Sequence, residues 1–225
     1  MFRSITVILI MLSIFISSFV FFKSPFEAYF GYAVFLLYFP VFFAKYGMPR
    51  APVLLFLPLF LSGVLYTLIG LNTPQQFYKV FIGFFASVLF YHYVVEQFAF
   101  KIKDLFQIYV RFSFWIAVIG LFQVASYLVG FRYGYDYTWI FNKWYFIAGG
   151  VGLRLNSIFG EPAYFAATIS PAFFLSVYNF TVPKPLFITR RQSVVIIVAY
   201  VLTYSSLGIL GIFLSALLLL VNLGF

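Results

Sequence analysis

The sequence predicts an all-α fold, a polytopic transmembrane helical bundle, and three observations carry that prediction. Hydrophobic residues make up 64% of the 225-residue chain and charged residues only 8%, whereas soluble domains carry about 25% charged residues to cover their surface. The apolar residues come in runs of the length that spans a hydrocarbon core, roughly 20 residues at about 1.5 Å each. The basic residues stand singly or in pairs between those runs, never in a stripe. The formal net charge of +9 is therefore a topology signal and does not mark a nucleic-acid surface. There is no cysteine, which excludes disulfides and thiolate chemistry. A single histidine among five scattered carboxylates argues against a metal site.

Breaks at charge, proline and glycine clusters predict seven spans: Ser4–Phe22, Phe26–Ala44, Ala51–Leu71, Val80–Phe98, Phe106–Gly130, Pro162–Phe180 and Gln192–Leu220. The first follows Arg3 but is too long for a signal core and lacks a small-x-small cleavage site, so it is expected to be a retained anchor. The last would reach roughly 43 Å as one straight helix. Thr203-Tyr204-Ser205-Ser206 interrupts it, and Gly208 and Gly211 follow. One tilted or locally broken helix is the first expectation; a tight hairpin, giving eight spans, is the alternative. All spans are expected to form a single transmembrane domain over residues 1–225.

Basic residues on alternate sides set the orientation. With the N-terminus inside, Arg3, Lys45, Arg50, Lys101, Lys103, Arg111, Lys184, Arg190 and Arg191 are cytoplasmic. Lys23, Lys79, Arg132, Lys143 and Arg154 lie opposite. The majority favours a cytoplasmic N-terminus and places the 131–161 connection outside.

That connection is where the membrane pattern gives way to chemistry. Arg132, Asp136, Lys143 and Arg154 are interleaved with Tyr133, Tyr135, Tyr137, Trp139, Trp144 and Tyr145. Such rings either form an interfacial belt at headgroup level or offer flat faces on which sugars stack. Composition leaves both open. Further on, Pro162 suits the first turn of a helix, and Glu161 falls where the helix dipole favours a carboxylate. Arg154 precedes them in a stretch flanked by Gly149, Gly150, Gly152 and Gly160, which lets backbone approach a ligand closely. A cation, a carboxylate and a helix N-terminus thus meet at one membrane face, unless Arg154 and Glu161 merely pair with each other.

Arg-x-x-Ser-x-Phe-x-Glu-Pro-x-x-Phe-Ala at 154–166, with Leu202-Thr203-Tyr204-Ser205-Ser206-Leu207-Gly208 after it, resembles the O-antigen polymerase and O-antigen ligase superfamily. The motifs cover about a third of the chain. The resemblance implies a glycosyltransferase of the bacterial plasma membrane. It would take a glycan from an undecaprenyl-pyrophosphate carrier and pass it to an acceptor at the outer face, in O-antigen or exopolysaccharide biosynthesis for the cell envelope. It implies no cofactor. The implied partners are the lipid-linked oligosaccharide, the bilayer, and a chain-length regulator or flippase. Arg154 would hold the pyrophosphate and stabilise its departure, and Glu161 would orient the acceptor or Arg154. Arg132, Trp139, Lys143, Trp144 and Tyr164 would bind substrate. The chain departs from the pattern at Ser205-Ser206, where the family has Ser-Arg. It is also shorter than the members of the family it resembles, which carry further spans and a second outer loop. The expectation is an N-terminal portion of such a protein, truncated or split, with an incomplete site.

Other polar residues read more plainly. His92 and Glu96 share a helix face and are expected to snorkel or to pair with Lys101, Lys103 or Arg111. Pro171 should kink its helix, with Thr168 and Ser170 helping to satisfy freed carbonyls. A transporter or flippase of lipid-linked glycans, without catalysis, is the rival function, although no internal repeat supports it. A ligand-free membrane scaffold is a third.

Overall fold

The computed structural model describes residues 2–23, 27–149 and 152–222. Phe26, where the second span is expected to start, and Gly150 lie outside them. The described chain is mostly helical: α1 (Phe2–Phe15), α2 (Phe30–Tyr46), α3 (Arg50–Leu68), α4 (Pro74–Gln97), α5 (Ile102–Leu128), the short α6 (Arg132–Tyr135), α7 (Pro162–Tyr178), α8 (Arg190–Val201) and α9 (Ser206–Asn222). A two-stranded antiparallel ribbon, β1 (Ala148–Gly149) and β2 (Gly152–Leu153), lies between α6 and α7. Three helices, α3, α4 and α5, are long and apolar enough to cross a membrane. Residues 5–15, α2 and α9 are shorter apolar helices. The chain is a membrane-associated helical protein.

By packing, it divides into two compact units, residues 22–105 and residues 1–21 with 106–225. In the first, α2 and α3 both pack on α4 through aromatic rings. Phe35 meets Phe90 at 4.3 Å, and Phe56 meets Phe84 and Phe85 at 5.1 and 5.2 Å. Thr73 caps α4 by accepting the Gln76 N–H, with Pro74 in the first turn. The buried Tyr93 ring ties α4 to the end of α2 by donating to the Gly47 carbonyl at 2.7 Å. His92 packs edge-on against Phe100, and Glu96 makes no ion pair among the described residues.

The second unit holds the 131–161 connection. Its buried core runs from Phe15 through Val110, Ile116 and Ala117 of α5 to Phe165, Ile169 and Phe173 of α7 and Ile196 and Tyr200 of α8. The first helix stops at Phe15, seven residues before the expected end. The reason is that Ser18 and Val20 give their backbone groups to the connection: the Lys143 N–H donates to the Ser18 carbonyl at 3.0 Å, and the Val20 N–H donates to Asn142 Oδ1 at 2.9 Å. Asn142 Nδ2 returns a bond to the Val20 carbonyl, and Ser18 Oγ donates to the Ile158 carbonyl.

The last apolar segment is a hairpin, which corrects the expectation of one broken span. Running back along α7, α8 brings Ser193 within 3.1 Å of Asn179 and stacks Tyr200 on Phe173 at 4.1 Å. After the reversal α9 follows α7 in its own direction, Gly208 against Ala166 and then Gly211 against Ser170. Four residues make the reversal. Thr203 Oγ1 donates to the Tyr200 carbonyl, Tyr204 takes a left-handed φ of 45°, and Ser205 Oγ accepts the Gly208 N–H at 2.9 Å. Both glycines are required by contact, since a Cβ on either would meet a hydroxyl at 3.0 Å or less. In α7, Pro171 lies inside the helix. Ser170 Oγ donates to the Ala166 carbonyl and Tyr109 to the Thr168 carbonyl, so neither bond reaches the Ala167 carbonyl that Pro171 leaves without its helical donor, and the expected help from Ser170 and Thr168 is not seen there.

Candidate functional site

Arg154 follows directly on β2, and its N–H continues the ribbon by donating to the Ile147 carbonyl. The next N–H, that of Leu155, donates to the Leu202 carbonyl at 3.0 Å, which joins this strand to the α8–α9 turn. The Arg154 side chain then lies against the turn, with Nε donating to the Thr203 carbonyl at 3.3 Å. The remaining guanidinium N–H groups make no hydrogen bond or ion pair among the described residues. Glu161 caps α7 through its backbone carbonyl, which accepts from Tyr164 and Phe165, but its carboxylate makes no cap bond. Arg154 and Glu161 are not an ion pair, so mutual neutralisation does not account for them. Arg154 lies at the α8–α9 turn, from which α9 starts, and Gly208 of α9 lies against Ala166 near the start of α7.

The loop between these residues is held from below by a side chain that sequence inspection passes over. Gln123 of α5 is fully buried and uses both ends of its amide. Its Oε1 accepts the N–H groups of Asn156 and Ser157 at 3.3 and 2.9 Å. Its Nε2 donates to Asn156 Oδ1 at 2.8 Å and to the Tyr135 carbonyl at 3.3 Å. Asn156 Nδ2 reaches the carbonyls of Tyr145 and Phe159, and Ser157 Oγ donates to the Ile116 carbonyl. Ser157, at a φ of 51°, is thus a structural member of the Arg-x-x-Ser motif. A glutamine within an expected span was the available signal, because polar side chains in membrane helices rarely lack a task.

The aromatic and basic residues divide into separate groups. Trp144 is buried, 3% exposed, with its indole N–H on the Ser157 carbonyl at 2.8 Å and its ring 5.5 Å from that of Tyr137. It packs the loop and has no face free for a sugar, which corrects its expected role. Lys143 lies on the same segment, opposite Gly160, and is half-buried. Tyr164 is exposed on the first turn of α7. Arg132 and Trp139 belong to another cluster. Arg132 pairs with Asp136 at 3.4 Å, and the Trp139 N–H donates to the Tyr133 carbonyl. No hydrogen bond or ring contact among the described residues links them to Arg154 or Glu161.

Two expected results follow from this packing. A Cβ on Gly160 would stand 2.7 Å from the Lys143 carbonyl oxygen, a backbone atom that cannot swing away. Gly160→Ala should lower stability by about 1–3 kcal/mol, read as an earlier thermal unfolding midpoint in detergent. Burial also pushes the Tyr137 hydroxyl up to about 12. The unfolded chain releases that proton near pH 10, so the contribution is complete below about 10 and is lost as pH rises towards 12. Ultraviolet titration of the folded protein should show a late tyrosine step that Tyr137→Phe removes.

Compared with known proteins, the chain matches no family model, no curated sequence and no solved structure.

Proposed function

We propose that the protein is a glycan transferase of the bacterial plasma membrane, a polymerase or ligase that draws on an undecaprenyl-pyrophosphate-linked donor at the outer face. The observation that carries this is the Arg154 guanidinium, fixed by one bond to the Thr203 carbonyl and otherwise without a partner among the described residues. A guanidinium held at the mouth of a membrane helix hairpin, beside two helix N-termini, is complementary to a diphosphate.

The chemistry needs little else. The acceptor hydroxyl attacks the anomeric carbon, the new glycosidic C–O bond forms, and the bond to the diphosphate oxygen breaks. Negative charge collects on the departing diphosphate, where Arg154 stabilises it. The hydroxyl proton leaves to solvent or to the diphosphate. Glu161, whose carboxylate is not tied to the helix it caps, orients the acceptor; the exposed Tyr164 ring offers a stacking face. In this reading the protein is multi-pass with a cytoplasmic N-terminus. Within the second unit, Arg190 and Lys184 lie at the end opposite the 131–161 connection, as the positive-inside rule requires.

The hairpin also suits a transporter of lipid-linked glycans, since discontinuous helices line substrate paths. Deleting the gene from its host and comparing surface glycan length separates the two. A transferase predicts short or uncapped glycan with lipid-linked units accumulating at the outer face. Accumulation at the inner face would mean transport, and unchanged glycan would reject both.

A further inference from the structure

The segment from Leu128 to Ile140 presents an apolar surface that neither the fold nor the proposed chemistry uses. Leu128 and Val129, the end of α5 and the residue after it, are 77% and 78% exposed. Phe131, Tyr133, Trp139 and Ile140 continue that exposure through α6 and the turn behind it. A patch of this kind on a water-facing loop would be an aggregation liability.

Its construction is that of a rigid wedge. Tyr133 and Trp139 meet edge to face at 6.2 Å, and the indole N–H is used internally on the Tyr133 carbonyl. The indole therefore has no polar atom left that needs water. Behind the rings, Asp136 accepts from Arg132 and from both the N–H and the hydroxyl of Thr138, which locks the turn. Burial works to raise the Asp136 carboxyl, but the Thr138 and Arg132 bonds outweigh it and hold it below the usual carboxylate value. The rings thus stand on a charged, hydrogen-bonded base. The surface continues without a gap from α5, a helix long and apolar enough to cross a membrane.

We infer that residues 128–140 form an interfacial anchor, seating the Tyr133–Trp139 ring pair in the phospholipid headgroup layer where α5 leaves the bilayer. Amphipathic aromatics favour that layer. A sugar platform is the poorer fit: it needs ring faces with polar edges in reach, whereas here the indole N–H is already engaged and Trp144 is folded inside. The anchor gives α6 and its loop a fixed depth, and it leaves Arg154 rather than Trp139 to meet the substrate.

The absence of cysteine makes the test clean. Tyr133→Cys and Trp139→Cys, each carrying a nitroxide, are reconstituted in phosphatidylethanolamine–phosphatidylglycerol vesicles. The ratio of oxygen to water-soluble nickel-chelate collisions at both sites should lie between that of a label free in water and that of a label in the acyl chains, as for labels at headgroup depth. A ratio equal to that of a label free in water at both sites would overturn the inference. A second measurement leaves the turn intact: indole emission in vesicles brominated near the top of the acyl chains. With Trp115, which is exposed on α5, replaced by phenylalanine in both proteins, the chain that keeps Trp139 should lose a larger share of its emission than the one that also carries Trp139→Phe; equal loss would place Trp139 away from lipid and overturn the anchor.

Discussion

Replacing Arg154 with alanine is expected to reduce glycan transfer by on the order of 100- to 1,000-fold, the usual loss when one preorganised donor to a developing negative charge is removed. The fold should survive the change. The side chain makes one long bond, to the Thr203 carbonyl, and the strand is held there independently by the Leu155 N–H on the Leu202 carbonyl. Arg154→Lys keeps the charge but loses the planar fork, so partial recovery is the expected outcome. Surface glycan length, read on a gel from cells that express each variant, checks the series. Normal length with Arg154→Ala would remove Arg154 from the chemistry.

Gln123→Leu should have the largest effect on stability. The side chain is close in size but leaves the N–H groups of Asn156 and Ser157 without their acceptor, and Asn156 Oδ1 without its donor. Each orphaned buried group costs about 1–3 kcal/mol, so the three together should cost at least about 3 kcal/mol. That is a large share of the ~5–15 kcal/mol that holds a typical domain folded. Gln123→Glu is the informative companion. As a buried neutral acid it keeps the acceptor bonds and donates once, to Asn156 Oδ1, so that only the Tyr135 carbonyl loses its donor. Intermediate destabilisation is the expected result. Thermal unfolding in detergent ranks the three proteins; equal stability of Gln123→Leu and the native chain would contradict the clamp.

Long apolar runs made α3, α4 and α5 legible from sequence, because only helices satisfy their own backbone in lipid. The end of α1 was not legible. Ser17 and Ser18 continue an apolar run without a proline or glycine, and what stops the helix is Asn142 and Lys143, more than a hundred residues away. The break at Thr203-Tyr204-Ser205-Ser206 was visible, but its direction was not. Reversal depends on Gly208 and Gly211 fitting against α7, a contact that no local pattern encodes. The candidate site was similarly half-visible. Arg154 and Glu161 stand out as charges beside Pro162, whereas Gln123 becomes meaningful only once its partners are known. Trp144 misled because aromatic composition does not reveal which rings turn inward.

The account rests on Arg154 as a diphosphate-binding group, and lipid binding tests that most directly. Purified protein in nanodiscs, native and Arg154→Ala, would be titrated with undecaprenyl diphosphate and with undecaprenyl monophosphate. The account predicts that the native protein prefers the diphosphate and that Arg154→Ala loses the preference while remaining folded. Equal binding of the two lipids by the native protein, or an unchanged preference in Arg154→Ala, would contradict it.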